Sequence, residues 1–174
     1  MNMTNVTIRE ERQGDEAAIR RVNEAAFGRP GEAGVVDALR AAGQATLSFV
    51  AEQAGEIVGH ILFSPVEVRR EDDAGWRAVA LGPMAVLPGR QGEGIGSALV
   101  REGLARCRAL GEAVVFVLGH PGFYTRYGFV PASRYGIDSE YGGGDAFMVA
   151  VLEEGALQGR QGAVFYAPAF RDVT

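Results

Sequence analysis

The sequence predicts a mixed α+β fold, with a mostly antiparallel central sheet flanked by helices in a single domain over residues 1–174. Three observations carry this expectation. A short alternating segment near the N-terminus gives way to two stretches with helical spacing. Three apolar, strand-like runs then follow one another across short connections. A later amphipathic stretch leads into an unbroken apolar run of the kind that sheets bury on both faces.

Taken in order, Val6-Thr7-Ile8-Arg9 alternates apolar and polar residues and reads as the first strand. Gly14-Asp15 supplies a turn and a cap for a helix to about Phe27, with Ile19, Val22 and Ala26 on one face. The break Gly28-Arg29-Pro30-Gly31 precedes a second helix carrying Val35, Val36 and Leu39. Ala45 to Ala51 and Ile57 to Val68 read as a strand pair joined across Gln53-Ala54-Gly55. Arg69 to Gly75 reads as a charged loop, and Trp76 to Val86 as the next strand. Ile95, Leu99, Leu104, Cys107 and Leu110 keep helical spacing, and Gly111 suits the stop. Ala113 to Leu118 is the buried strand. The remainder holds a short aromatic helix or turn (Gly122 to Tyr127), Phe129-Val130-Pro131, and apolar runs at Ala146 to Leu152 and Ala163 to Tyr166. Gly142-Gly143-Gly144 reads as a flexible surface loop.

Composition narrows the function. All 17 basic residues are arginine, so lysine-dependent chemistry is excluded: Schiff bases, pyridoxal-phosphate anchoring and the phosphate-loop lysine. A net charge of −5 argues against a nucleic-acid binder. No apolar run reaches the ~20 residues of a membrane helix, and the N-terminal segment has no signal-peptide core. A cytoplasmic protein is expected, without membrane partners. The lone Cys107 fits a reducing compartment, and His60 and His120 lack paired ligand spacing, so no metal site is expected.

The most informative stretch is Val86-Leu87-Pro88-Gly89-Arg90-Gln91-Gly92-Glu93-Gly94-Ile95-Gly96. Glycines before a helix expose backbone N–H groups to an anion. A triphosphatase loop fails for want of lysine. A dinucleotide turn fits poorly, because Glu112 precedes the next strand instead of ending it. A coenzyme A diphosphate loop and an ordinary glycine-rich turn both remain. Before the loop, Gly82-Pro83 interrupts an apolar strand, and a proline cannot donate to a ladder, so a bulge is expected.

The pattern V-x-P-x-x-(R/Q)-x-x-G-x-(G/A) over residues 86–96 resembles the GNAT superfamily of N-acyltransferases. The segment Phe123-Tyr124-Thr125-Arg126-Tyr127-Gly128-Phe129 resembles one that closes many GNAT sites. With its flanks and with Phe147-Met148-Val149 and Gly162-Ala163-Val164-Phe165-Tyr166, the chain looks most like the bacterial YhbS-like branch. The resemblance implies a sheet splayed between its fourth and fifth strands, with pantetheine in the opening. It implies acetyl-CoA as donor cosubstrate, bound by Met84, Ala85 and Val86 and by Gln91, Gly92, Glu93, Gly94, Ile95, Gly96 and Ser97. Tyr124 takes the position of the family's general acid.

The acceptor would be a small-molecule or protein amine. The base is not legible: His120, at the end of the buried strand, is the first candidate, while His60 or a chain of waters would also serve. Cys107 reads as packing. A non-catalytic GNAT-fold coenzyme A sensor is the alternative from another class, and transfer of longer acyl groups or to another acceptor stays open. Extra C-terminal strands are compatible with a homodimer.

Overall fold

The computed structural model describes residues 5–173, so residues 1–4 and 174 of the expected domain lie outside the described residues. Nine strands form one sheet: β1 (Val6–Glu10), β2 (Leu47–Gln53), β3 (Glu56–Arg70), β4 (Asp73–Val86), β5 (Val114–Leu118), β6 (Val130–Pro131), β7 (Ile137–Ser139), β8 (Phe147–Val151) and β9 (Gly162–Phe165). The helices are α1 (Glu16–Phe27), α2 (Gly31–Ala41), α3 (Ile95–Ala109) and the single turn α4 (Pro121–Tyr124). The strand order is β1-β2-β3-β4-β5-β8-β6, antiparallel except where β4 meets β5, and β9 pairs with β3 and, in parallel, with β7.

Strand alternation sorts the core onto two faces. Phe49, Ala51, Ile61 and Phe63 pack with Ile95, Leu99, Leu104 and Cys107 of α3. Their neighbours Val50 and Leu62 turn to the other face and pack with Ile19 and Val22 of α1 and Val35, Val36 and Leu39 of α2. Farther along that face, Val66, Val68, Phe116 and Phe147 lie under Ile137, Leu157 and Val164. Each fully buried aliphatic side chain contributes roughly 1.5–3 kcal/mol. Gly103 brings α3 close to the sheet: a Cβ there would stand 2.5 Å from the Phe63 ring.

Three expectations change. Arg69–Gly75 is not a loop, because β3 runs to Arg70 and β4 begins at Asp73. Charge marks which face is wet, and β9 supplies ladder partners to Glu67, Val68 and Arg69. Second, Asp15 occupies the N-cap of α1 but makes no side-chain cap bond. Its carboxylate accepts from the Arg9 guanidinium (2.8 and 3.2 Å) and the Arg12 amide (2.8 Å), and charge-assisted bonds prevail over a neutral one. Third, β7 is absent from the sequence reading. Its three residues hold one aliphatic side chain, and only pairing with β9 makes them a strand.

Candidate active site

β4 and β5 pair over three positions only: Val79 with Val115, Ala80 with Phe116, and Leu81 with Val117. Beyond Leu81 they part. Gly82 and Pro83 stand opposite the single residue Leu62 of β3, which makes a bulge. Gly82 has φ +144°, a conformation that L side chains rarely adopt, and Pro83 has no N–H to offer β5. β4 then continues along β3 to Val86, while β5 ends at Leu118.

The backbone of the diverging segment is not all spent on β3. Leu87 N–H donates to the Val58 carbonyl at 2.9 Å. Antiparallel alternation therefore turns Ala85 towards His60 of β3 and aims the peptide groups of Met84 and Val86 at the gap. The Gln91 amide already uses that side, donating to the Val86 carbonyl at 3.1 Å. Of the expected trio, Ala85 contributes wall surface, and Met84 and Val86 contribute backbone groups.

At the mouth of the gap, α3 begins without a side-chain cap, so its first-turn N–H groups await a partner. Gly94, its N-cap, has φ +85° and Gly92 has φ +81°, both in the left-handed region that glycine permits. No acidic side chain stands in the first turn of α3, and Arg106 and Arg108 lie in the last, so the helix dipole is unopposed at its start. Gln91, Gly92, Gly94, Ile95, Gly96 and Ser97 line the cavity here, whereas Glu93 does not. Ser97 Oγ is hydrogen-bonded to the Tyr127 hydroxyl.

The opposite lip is the aromatic segment. Pro121–Tyr124 form one turn, and Tyr124 packs edge-on against Phe123 (5.0 Å) and Phe129 (5.5 Å). Gly119 makes this possible, since a Cβ there would meet the Tyr124 ring at 2.5 Å. Tyr124 is 7% exposed and lines the cavity, and its hydroxyl has no hydrogen-bond partner among the described residues. Burial, with a lesser effect of Tyr127, pushes it up to about 12, so it stays protonated and can donate. His120 is exposed on the same wall, and its carbonyl accepts the Phe123 and Tyr124 amides at 3.0 and 3.1 Å.

The acetyltransferase (GNAT) domain family matches residues 7–132. The uncharacterized N-acetyltransferase YhbS of Escherichia coli K12 is 37% identical over 159 residues, covering 90% of this chain and 91% of YhbS. The chain belongs to the GNAT acetyltransferase family. The crystal structure of E. coli YhbS in complex with CoA superposes with a TM-score of 0.91 at 34% identity, covering 100% of this chain and 96% of that one. A GNAT acetyltransferase from Brucella melitensis, solved with acetyl-CoA, gives a TM-score of 0.78 at 42% identity over 95% of this chain and 97% of its own. The family, the YhbS-like branch and the splayed sheet are thus as the sequence implied. GNAT enzymes are acyl-CoA-dependent acetyltransferases.

This GNAT chain separates its two histidines. His60 is 0% exposed and lies beneath α1, with Nδ1 3.2 Å from Asn23 Nδ2 and Nε2 2.9 Å from Ser48 Oγ. Ser48 donates in turn to Glu11 (2.7 Å), which is clamped by Arg40 at 2.8 and 3.0 Å. Burial pulls His60 down to about 4, so it is a neutral core residue away from the cavity. Cys107 is buried and pushed up to about 12 by burial, as a packing thiol should be.

The cavity, about 960 Å³, extends well past the gap. Its wall includes Arg90 and Arg126 near the glycine loop, and Phe27, Glu32, Tyr141, Tyr166 and Phe170 at the far end. The sequence reading singled out none of these seven residues as a site. Arginine is the only basic residue type here, so its presence carried no signal, and the far wall is assembled from α1, α2 and segments beyond residue 139.

Proposed function

We propose that this chain transfers the acetyl group of acetyl-CoA directly to an amine. The observation that carries the reading is the opening between β4 and β5, bounded at one end by the uncapped start of α3 and at one lip by Tyr124. The residues fit the donor: side-chain-free glycines, first-turn N–H groups and two arginines suit a diphosphate. Helix-terminus charge alone contributes ~0.3–1 kcal/mol, against roughly 8 kcal/mol for micromolar affinity. The backbone of Met84 and Val86 supplies further contact, receiving the pantetheine arm as an added strand.

When bound, acetyl-CoA supplies an activated acyl carbon in thioester linkage. The N–H groups of β4 polarise its carbonyl as charge develops on oxygen. His120, whose ring has no protein partner among the described residues, takes the proton the amine sheds as its nitrogen bonds to that carbon, directly or through water. Tyr124 faces the sulfur as the carbon–sulfur bond breaks. With Tyr124 near 12, handing its proton to a thiolate of pKa near 8.5 is uphill by about 5 kcal/mol. Tyr124 therefore stabilises the thiolate by a hydrogen bond, and water supplies the proton.

Free-thiol release from acetyl-CoA, followed across an amine panel, tests the reading. Tyr124→Phe is expected to lower kcat by roughly 100-fold while leaving acetyl-CoA affinity near wild type. An unchanged kcat removes Tyr124 from the mechanism. Absence of any binding of acetyl-CoA or CoA by the wild type would overturn the function itself, and binding without turnover on any amine would favour a coenzyme A-binding module.

A further inference from the structure

We propose that the acceptor is a small primary amine carried on a flat, apolar, aromatic body, its ammonium read by Glu32 and its body by a box of rings. This rests on the acetyl-transfer reading above. Among the described residues, the arginines on the cavity wall are Arg90 and Arg126, and the one carboxylate is Glu32. Arg90 follows the end of β4, and Arg126 lies over the Phe123 ring at 5.9 Å, so both stand on the donor side. Glu32 belongs to the first turn of α2, against the C-terminal segment: a Cβ at Gly31 would touch Val173 at 2.8 Å. The cavity is therefore polarised, with positive charge where a diphosphate fits and negative charge where an amine must arrive.

The material around Glu32 selects the body of the amine. Phe27, Tyr141, Tyr166 and Phe170 supply ring surface, with Val35 between the helices. Tyr166 is tilted against Tyr141 at 5.7 Å and meets Phe170 edge-on at 5.3 Å. The ring surface they turn to the cavity offers a planar apolar group offset or edge-on contact, and ring faces attract a cation. The Tyr166 hydroxyl is buried behind this ring surface, so Glu32 is the charged group of the wall here. A polyamine or an aminosugar needs several carboxylates or hydroxyl partners, and this wall offers one carboxylate.

Glu32 is also prepared electrostatically. Its side chain is 12% exposed, and Arg29 bonds it at 2.6 and 3.0 Å from a position 59% exposed. The Arg29 hydrogen bonds hold Glu32 below the usual carboxylate range, so it is charged at neutral pH. Arg29 engages both Glu32 oxygens, and an incoming ammonium shares the carboxylate through its remaining lone pairs.

Calorimetry on CoA-saturated protein tests this with phenethylamine and tryptamine against 2-phenylethanol, spermidine and Nα-acetyl-lysine amide. The aryl amines are expected to bind at least about tenfold tighter than the alcohol, the lysine derivative and the polyamine. Glu32→Gln is expected to close the amine–alcohol gap to within about twofold by weakening the amines alone. If that variant fails to fold, the wild-type comparison decides by itself. Equal affinity for amine and alcohol, or tighter binding of spermidine or the lysine derivative, overturns the proposal. Failure of CoA to bind overturns the donor reading instead, and calorimetry with CoA alone separates the two.

Discussion

His60 shows how one side chain sets an acid limit on the whole chain. It is buried neutral, with Asn23 of α1 on one ring nitrogen and Ser48 of β2 on the other. Its folded value near 4 lies below the unfolded 6.5, so the unfolded chain binds the proton more readily. Stability is therefore fully present above pH 6.5 and falls by up to about 3 kcal/mol as the pH drops towards 4. Glu11, Asp15 and Glu32 are held below their usual values and lose their contributions only at still lower pH. The interval from 6.5 to 4.5 thus belongs to His60. Denaturant titrations at pH 7 and pH 5 should differ by over 1 kcal/mol in the wild type and by far less in His60→Gln; a flat wild-type profile refutes this.

Among the elements, the start of α3 carries two glycines with opposite demands. Gly94 sits at φ +85°, where a side chain strains the backbone by about 1–3 kcal/mol, whatever room it has. Gly96 is ordinary helix, and a Cβ there would meet Met84 and Phe123 at 3.6 Å, an easy contact. That methyl group nevertheless stands at the mouth of the gap. Gly96→Ala is expected to keep or raise Tm, since alanine favours helix by about 1 kcal/mol, and to weaken acetyl-CoA binding roughly tenfold. Gly94→Val should lose both Tm and affinity. Unaltered cofactor affinity in a folded Gly96→Ala protein would contradict the placement of the donor.

For the molecule as a whole, legibility followed sequence distance. The loop, the bulge at Gly82-Pro83 and Tyr124 lie within contiguous stretches whose residue types state their geometry. The far wall does not: Phe27, Glu32, Tyr141, Tyr166 and Phe170 are ordinary apolar or charged residues until β9 and the C-terminal segment fold back across the sheet. β7 and the last two residues of β3, Arg69 and Arg70, were obscure for the same reason, each being strand because of what lies beside it. His60 was undecidable from alternation because β2 and β3 slip register between Ala51 and Glu52.

The shared edge of β3 has a further consequence, for biosynthesis. β2 occupies one part of that edge and β9 another, so Glu67, Val68 and Arg69 have no partner there until β9 has been translated. An open edge invites pairing with another chain. The charges of this stretch, Glu67, Arg69 and Arg70, the two arginines among those that looked like a loop, stand as gatekeepers during that interval. A chain stopped at Arg160 should stay dispersed in dilute salt, and self-associate, by sedimentation, once all three are replaced by threonine. Its residues for folding and its residues for waiting to fold are the same ones.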